Sequence, residues 1–123
     1  MIEQFLRSVL EQDEAPVVLC DVHHIIVYMN PVAARRYANA GCYDLVGRSV
    51  LESPNAKSCE LIEKVLAWFQ ADVNHNKVYT YCNKNENKDV YMVALRDEEK
   101  HLIGYYEKHE YRNHETENLY DLT

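Results

Sequence analysis

Four cysteines, six histidines and ten tyrosines are the residues of this chain best suited to chemistry. Cys20, Cys42, Cys59 and Cys82 lie 22, 17 and 23 residues apart, with no Cys-x-x-Cys pair and no His-x-x-x-His partner. Zinc ligands cluster at such short spacings, so these thiols read as reduced and buried rather than metal-bound. His23 and His24 are adjacent at hairpin spacing and read as a solvated turn. His75 sits in the polar run Asp72-Val73-Asn74-His75-Asn76-Lys77, which also reads as a turn. His101, His109 and His114 are scattered among charges and read as solvated. Seven of the tyrosines lie from Tyr79 onward. By strand alternation Tyr79 and Tyr81 share one face, and so do Tyr105 and Tyr111. Half-buried rings with wet hydroxyls, or an aromatic face for a partner, both fit. No nucleophile elbow or metal-ligand spacing is present, and Glu98-Glu99 reads as a solvated charge run. The residues therefore point away from an enzyme.

The elements that position these residues are legible from periodicity. Ile2, Phe5, Leu6, Val9 and Leu10 make a narrow stripe at i, i+3, i+4, i+7 and i+8, predicting an amphipathic helix closed by Glu14-Ala15-Pro16. The β-branched runs 17–22 and 25–29 predict a hairpin about His23-His24. Asn30-Pro31 is an N-cap followed by a first helical position, and Gly41 is the expected stop. Loss of that cap in Asn30→Ala is expected to cost roughly 1 kcal/mol. Ser53-Pro54 starts a helix over about 55–71 with Glu60 and Lys64 paired outside. Strands follow at Val78–Cys82, Val90–Leu95 and Leu102–Tyr111, and residues 112–123 read as a tail. Two strands, a helical middle and three strands predict an α+β domain: a five-stranded antiparallel sheet with helices on one face.

At 123 residues and 14.5 kDa the chain is of single-domain size, with a folded surface of roughly 6,900 Å² expected. Its net charge is −7: −3 over residues 1–14, zero over 15–97 and −4 over 98–123. That sign argues against nucleic acid as a partner. No apolar run approaches a membrane span, and the N-terminus lacks the features of a signal peptide, so a cytoplasmic protein is expected.

Three motifs resemble the PAS family. The first is Asp21-Val22-His23-His24-Ile25-Ile26-Val27-Tyr28-Met29-Asn30-Pro31-Val32-Ala33-Ala34, a strand, turn, strand and Asn-led helix. The second is Tyr43-Asp44-Leu45-Val46-Gly47-Arg48-Ser49-Val50-Leu51. The third is Leu95-Arg96-Asp97 with Ile103-Gly104 a few polar residues later. The likeness covers about residues 15–111, leaving 1–14 as a helical extension and 112–123 as an acidic tail. His23-His24 replaces the family's usual turn glycine, and the Asp-Ile/Val-Thr ending is absent.

The resemblance implies a PAS fold and a stand-alone sensory or interaction module of signal transduction. It binds a small molecule between sheet and helices, acts through protein contacts, or both. Strand parity gives pocket candidates Ile25, Val27, Tyr37, Leu45, Val50, Ile62, Leu66, Val78, Met92, Ala94 and Ile103. The cofactor is unknown. A photoactive flavin needs a Cys just after Gly47-Arg48, where Ser49, Val50 and Leu51 stand. Haem would fall to His75 as axial ligand, and neither group is expected. A homodimer through Ile2, Phe5, Leu6, Val9 and Leu10 is expected, with a separate output protein. Two alternatives stay open: a haem-binding gas or redox sensor through His75, and a small enzyme on a cone-shaped α+β fold. A strongly shifted acid or histidine inside the largest pocket would favour the enzyme.

Overall fold

Asn30 organises the start of the domain. It has extended N-cap backbone, and its Oδ1 accepts the Ala33 N–H at 2.9 Å. Pro31 then opens α2 (Pro31–Arg36). This helix ends sooner than the small-residue run predicts. Tyr37 leaves helical geometry (φ −103, ψ 24) and packs against the core. The computed structural model describes residues 1–38, 45–52 and 56–123. The expected stop at Gly41 and the Ser53-Pro54 cap lie outside the described residues.

The other elements are α1 (Ile2–Gln12), β1 (Val18–Asp21), β2 (Ile26–Met29), a 3-10 turn (Val50–Glu52), α3 (Ala56–Ala71), β3 (Lys77–Asn83), β4 (Lys88–Arg96) and β5 (Leu102–Tyr111). The strands form one antiparallel sheet in the order β2-β1-β5-β4-β3. The core joins Cys20, Ile26, Met29, Met92 and Tyr105 from the sheet to Ala33 of α2 and to Leu66 and Phe69 of α3.

The three sequence motifs are turns and close approaches. Asp21 Oδ1 accepts the N–H groups of His23 (2.8 Å) and Ile25 (3.0 Å), closing the β1–β2 hairpin. His24 holds the left-handed φ of 68° where the family's glycine would stand. Gly47 (φ 93°) lets its segment run beside β2: Gly47 N donates to Ile26 O (2.8 Å), and Ile26 N donates to Arg48 O (2.9 Å). Arg96 donates to the carbonyls of Phe69 (2.7 Å), Asp72 (3.2 Å) and His75 (3.2 Å) at the end of α3. A cation there satisfies orphan carbonyls and complements the helix dipole. Gly104 is required because a Cβ would collide with the Cys20 carbonyl of β1.

Register shifts occur at Leu19/Cys20, Tyr79/Tyr81 and Leu95/Arg96. Each exchanges which side chains face the helices. Tyr79 pairs with Tyr91, whereas Tyr81 pairs with the buried Val90, so the two tyrosines lie on opposite faces, contrary to plain alternation. Tyr105 and Tyr111 do share the helix-side face.

Both extensions are exposed. No residue of α1 is buried, and its stripe residues Ile2, Phe5, Leu6 and Val9 are all more than half exposed. The total surface is 9,074 Å², well above the roughly 6,900 Å² expected for a close-packed chain of this mass. Among the described residues, no helix is long and apolar enough to cross a membrane.

Candidate functional site

Between the sheet and its helical cover lies a cavity of about 630 Å³, within the range of small-molecule sites. Strands β1 and β2 supply Val18, Cys20, Ile26 and Met29 to its wall. Tyr37 follows α2, and Leu45, Arg48, Ser49, Val50 and Glu52 come from the segment beside β2. Helix α3 contributes Ser58 and Ile62. Strand β4 adds Met92, and β5 adds Tyr105, Tyr106, Glu107 and His109, with Pro16 from the chain after α1.

Of the eleven candidates drawn from strand parity, Tyr37, Leu45, Val50, Ile62 and Met92 stand on this wall. Leu66, Val78 and Ala94 pack in or against the core instead. Val27 and Ile103 are more than half exposed, and Ile25 is not on the wall. The β1–β2 register pairs Ile26, not Ile25 or Val27, with Cys20 and so turns Ile26 inward. At the β4–β5 bulge Arg96 pairs with Leu102, which leaves Ile103 unpaired and turned out.

The larger omission is polar. His109 is not solvated: its side chain is only 6% exposed, because β5 turns it inward opposite Val90. Burial and the neighbouring Lys88 and Arg36 charges pull its pKa down to about 4. Its Nδ1 is buried and has no hydrogen-bond partner among the described residues. Glu107, two residues earlier, is half exposed on the cavity wall, with Oε2 3.9 Å from His109 Nε2. Desolvation raises its pKa, against the opposing pull of Lys88 and Arg36. Behind the pair, Lys88 is fully enclosed, with Nζ 3.4 Å from Glu86 Oε1 and 3.3 Å from the Tyr111 hydroxyl. Arg36 grips Glu86 through two bonds of 2.8 and 2.9 Å and helps draw its pKa down to about 2.

On the neighbouring strand β1, Cys20 is buried and its thiol pKa is pushed up to about 11 by desolvation. Tyr105 is likewise raised by burial, and its hydroxyl lies 2.8 Å from His24 Nδ1. His24 is therefore half-buried against Tyr105 rather than a fully solvated turn residue. Cys82, expected buried, is exposed, since the β3 bulge puts it beside Asp89 on the outer face.

His75 does not line the cavity. Its ring stacks on Trp68 at 3.9 Å and 3°, and its Nδ1 lies 2.7 Å from the Trp68 carbonyl. That ring closes the end of α3 and is not aimed at a bound group. The outer-face tyrosines are engaged internally: the Tyr79 hydroxyl donates to Asp89 (2.7 Å), and Arg112 donates to the Tyr91 hydroxyl (3.1 Å). Among the described residues no group of three or more His, Cys, Asp or Glu is placed to hold a metal ion.

An antiparallel five-stranded sheet with helices and a cavity on one face defines an α+β architecture. The particular fold is PAS, as solved structures make plain. A PAS domain from Colwellia psychrerythraea matches 91% of this chain and 98% of its own at 14% identity, with a TM-score of 0.65. A C-terminal domain from Streptococcus mutans matches 89% and 83% at 22% identity, with a TM-score of 0.64. A sensory box of a sensor histidine kinase from Vibrio cholerae matches 89% and 90% at 15% identity, with a TM-score of 0.55. No protein-family model and no curated protein matches the sequence.

Proposed function

We propose that this chain is a sensory module of signal transduction that binds a small molecule in the cavity between sheet and helices. The observation that carries the reading is the cavity itself: about 630 Å³, walled largely by apolar side chains with a few polar groups from the segment beside β2, from α3 and from β5. Kinship of fold with a sensor-kinase domain supports a signalling role. The exposed stripe of α1 supports a homodimer, since apolar stripes seldom stay in water. Its output partner is a protein. The net charge of −7 favours a protein over nucleic acid as that partner, and the Cys20 and Cys82 thiols, outside any disulfide among the described residues, fit a reducing, cytoplasmic setting.

Native mass spectrometry and an absorption spectrum of the freshly purified protein test this. The expected sample is colourless and carries a small non-covalent adduct that Ile62→Trp, which fills the cavity, abolishes. A haem or flavin spectrum, or an adduct that persists in Ile62→Trp, contradicts the reading.

One observation favours an enzyme as the second reading: Glu107 and His109 are shifted in opposite directions inside the cavity. The Cys20 thiol, held protonated, gives that reading no activated nucleophile. Substrate turnover abolished by Glu107→Gln would establish it.

A further inference from the structure

The β5 side of the cavity, with Glu107 and His109, narrows the class of ligand, an inference that rests on the binding role just proposed. Glu107 and His109 occupy alternate positions of β5, opposite Met92 and Val90, so both face the helices. Among the described residues no Lys or Arg lies within ion-pair distance of Glu107, and the 3.9 Å to His109 is too long for a hydrogen bond. His109 keeps a buried ring nitrogen without a partner. The nearby cations are committed elsewhere. Arg36 is held by Glu86, and Arg48 pairs with Glu52 at 3.0 Å. Lys88 is enclosed and is not on the cavity wall. A group entering the cavity therefore meets a carboxylate without an ion-pair partner beside a neutral imidazole.

We propose that the cavity takes a small amphiphilic cation: an apolar or aromatic body against Met92 and Ile62, bearing a protonated amine or amidine that donates to Glu107 beside His109. An ammonium there offsets the desolvation that the wall imposes on Glu107. A carboxylate in the same place would face Glu107 unpaired, so the site selects against anions as well as for cations.

The test titrates the full chain with benzylamine, benzyl alcohol and benzoate, three probes with similar bodies and different charge. Benzylamine is expected to bind about tenfold tighter than benzyl alcohol, as a charge-assisted hydrogen bond implies, with benzoate weakest. Glu107→Gln, checked for folding by circular dichroism, should abolish the amine's preference over the alcohol. Benzoate binding tightest, equal binding of amine and alcohol, or an amine preference intact in Glu107→Gln overturns this inference alone. Binding of none of the three overturns the cavity's binding role and the inference with it.

Discussion

Asn30 makes four hydrogen bonds from a fully buried side chain. Its Oδ1 accepts from the N–H groups of Val17 and Ala33, both at 2.9 Å, and its Nδ2 donates to the carbonyls of Leu10 (3.0 Å) and Ala15 (2.9 Å). The cap on Ala33 is local and was visible in the Asn-Pro pair. The ties to residues 10, 15 and 17 depend on how α1 and β1 meet, which no local pattern encodes. Asn30→Ala therefore strands several buried partners, and its cost rises from roughly 1 kcal/mol for a lone cap to about 2–4 kcal/mol. Urea denaturation measures it; a loss of about 1 kcal/mol or less would mean that water replaces the outer ties without penalty. His109 makes a second prediction. Its folded pKa of about 4 lies below the ordinary 6.5, so the unfolded chain holds more protons between those values. Stability should fall as pH drops from about 6.5 to about 4, by at most about 3 kcal/mol. Glu107, shifted upward, takes up its proton more readily in the folded chain and softens that loss. Denaturation at about pH 7 and about pH 4.5 should show a smaller acid loss in His109→Gln than in the parent. Equal losses would remove His109 from the acid response.

At the scale of elements, strands and helices followed from periodicity because each buries one face, and β5 spans Leu102–Tyr111 as expected. The pocket list was less legible because bulges shift parity without any mark in composition. Ile103 turned out and Tyr105 in for this reason, and Tyr79 parted from Tyr81 in the same way. Glu107 and His109 were passed over because charged residues in a strand read as its wet side. The helix α1 meets the domain through the Leu10 carbonyl on Asn30, Glu11 accepting from the Tyr28 hydroxyl at 3.0 Å, and Arg7 over the Tyr28 ring at 5.5 Å. Its stripe stays exposed in the single chain. Removing residues 1–13 should convert a dimer to a monomer by light scattering. An unchanged dimeric mass would show that α1 is not the interface.

For the whole molecule, the charge divides along the architecture. Residues 15–97 are neutral, and the excess of −7 lies in residues 1–14 (−3) and 98–123 (−4). Within that acidic share Glu107 alone of the β5 acids stands on the main cavity wall, so a net charge that says little about the body still has one residue at the site. The surface excess over a close-packed chain has the same origin, since α1 and residues 112–123 are solvent-facing throughout most of their length. The cavity-bearing body, residues 15–111, thus carries −2, between extensions of −3 (1–14) and −2 (112–123). The chain carries its own reporters for the cavity: of three methionines, Met29 and Met92 line it, and Met1 is 92% exposed at the N-terminus. Methyl-labelled methionine observed by NMR during a benzyl alcohol titration reads the cavity directly. Saturable shifts of Met29 and Met92 with Met1 unmoved are the predicted result; a response of Met1 alone, or none from the two cavity methyls, would contradict it.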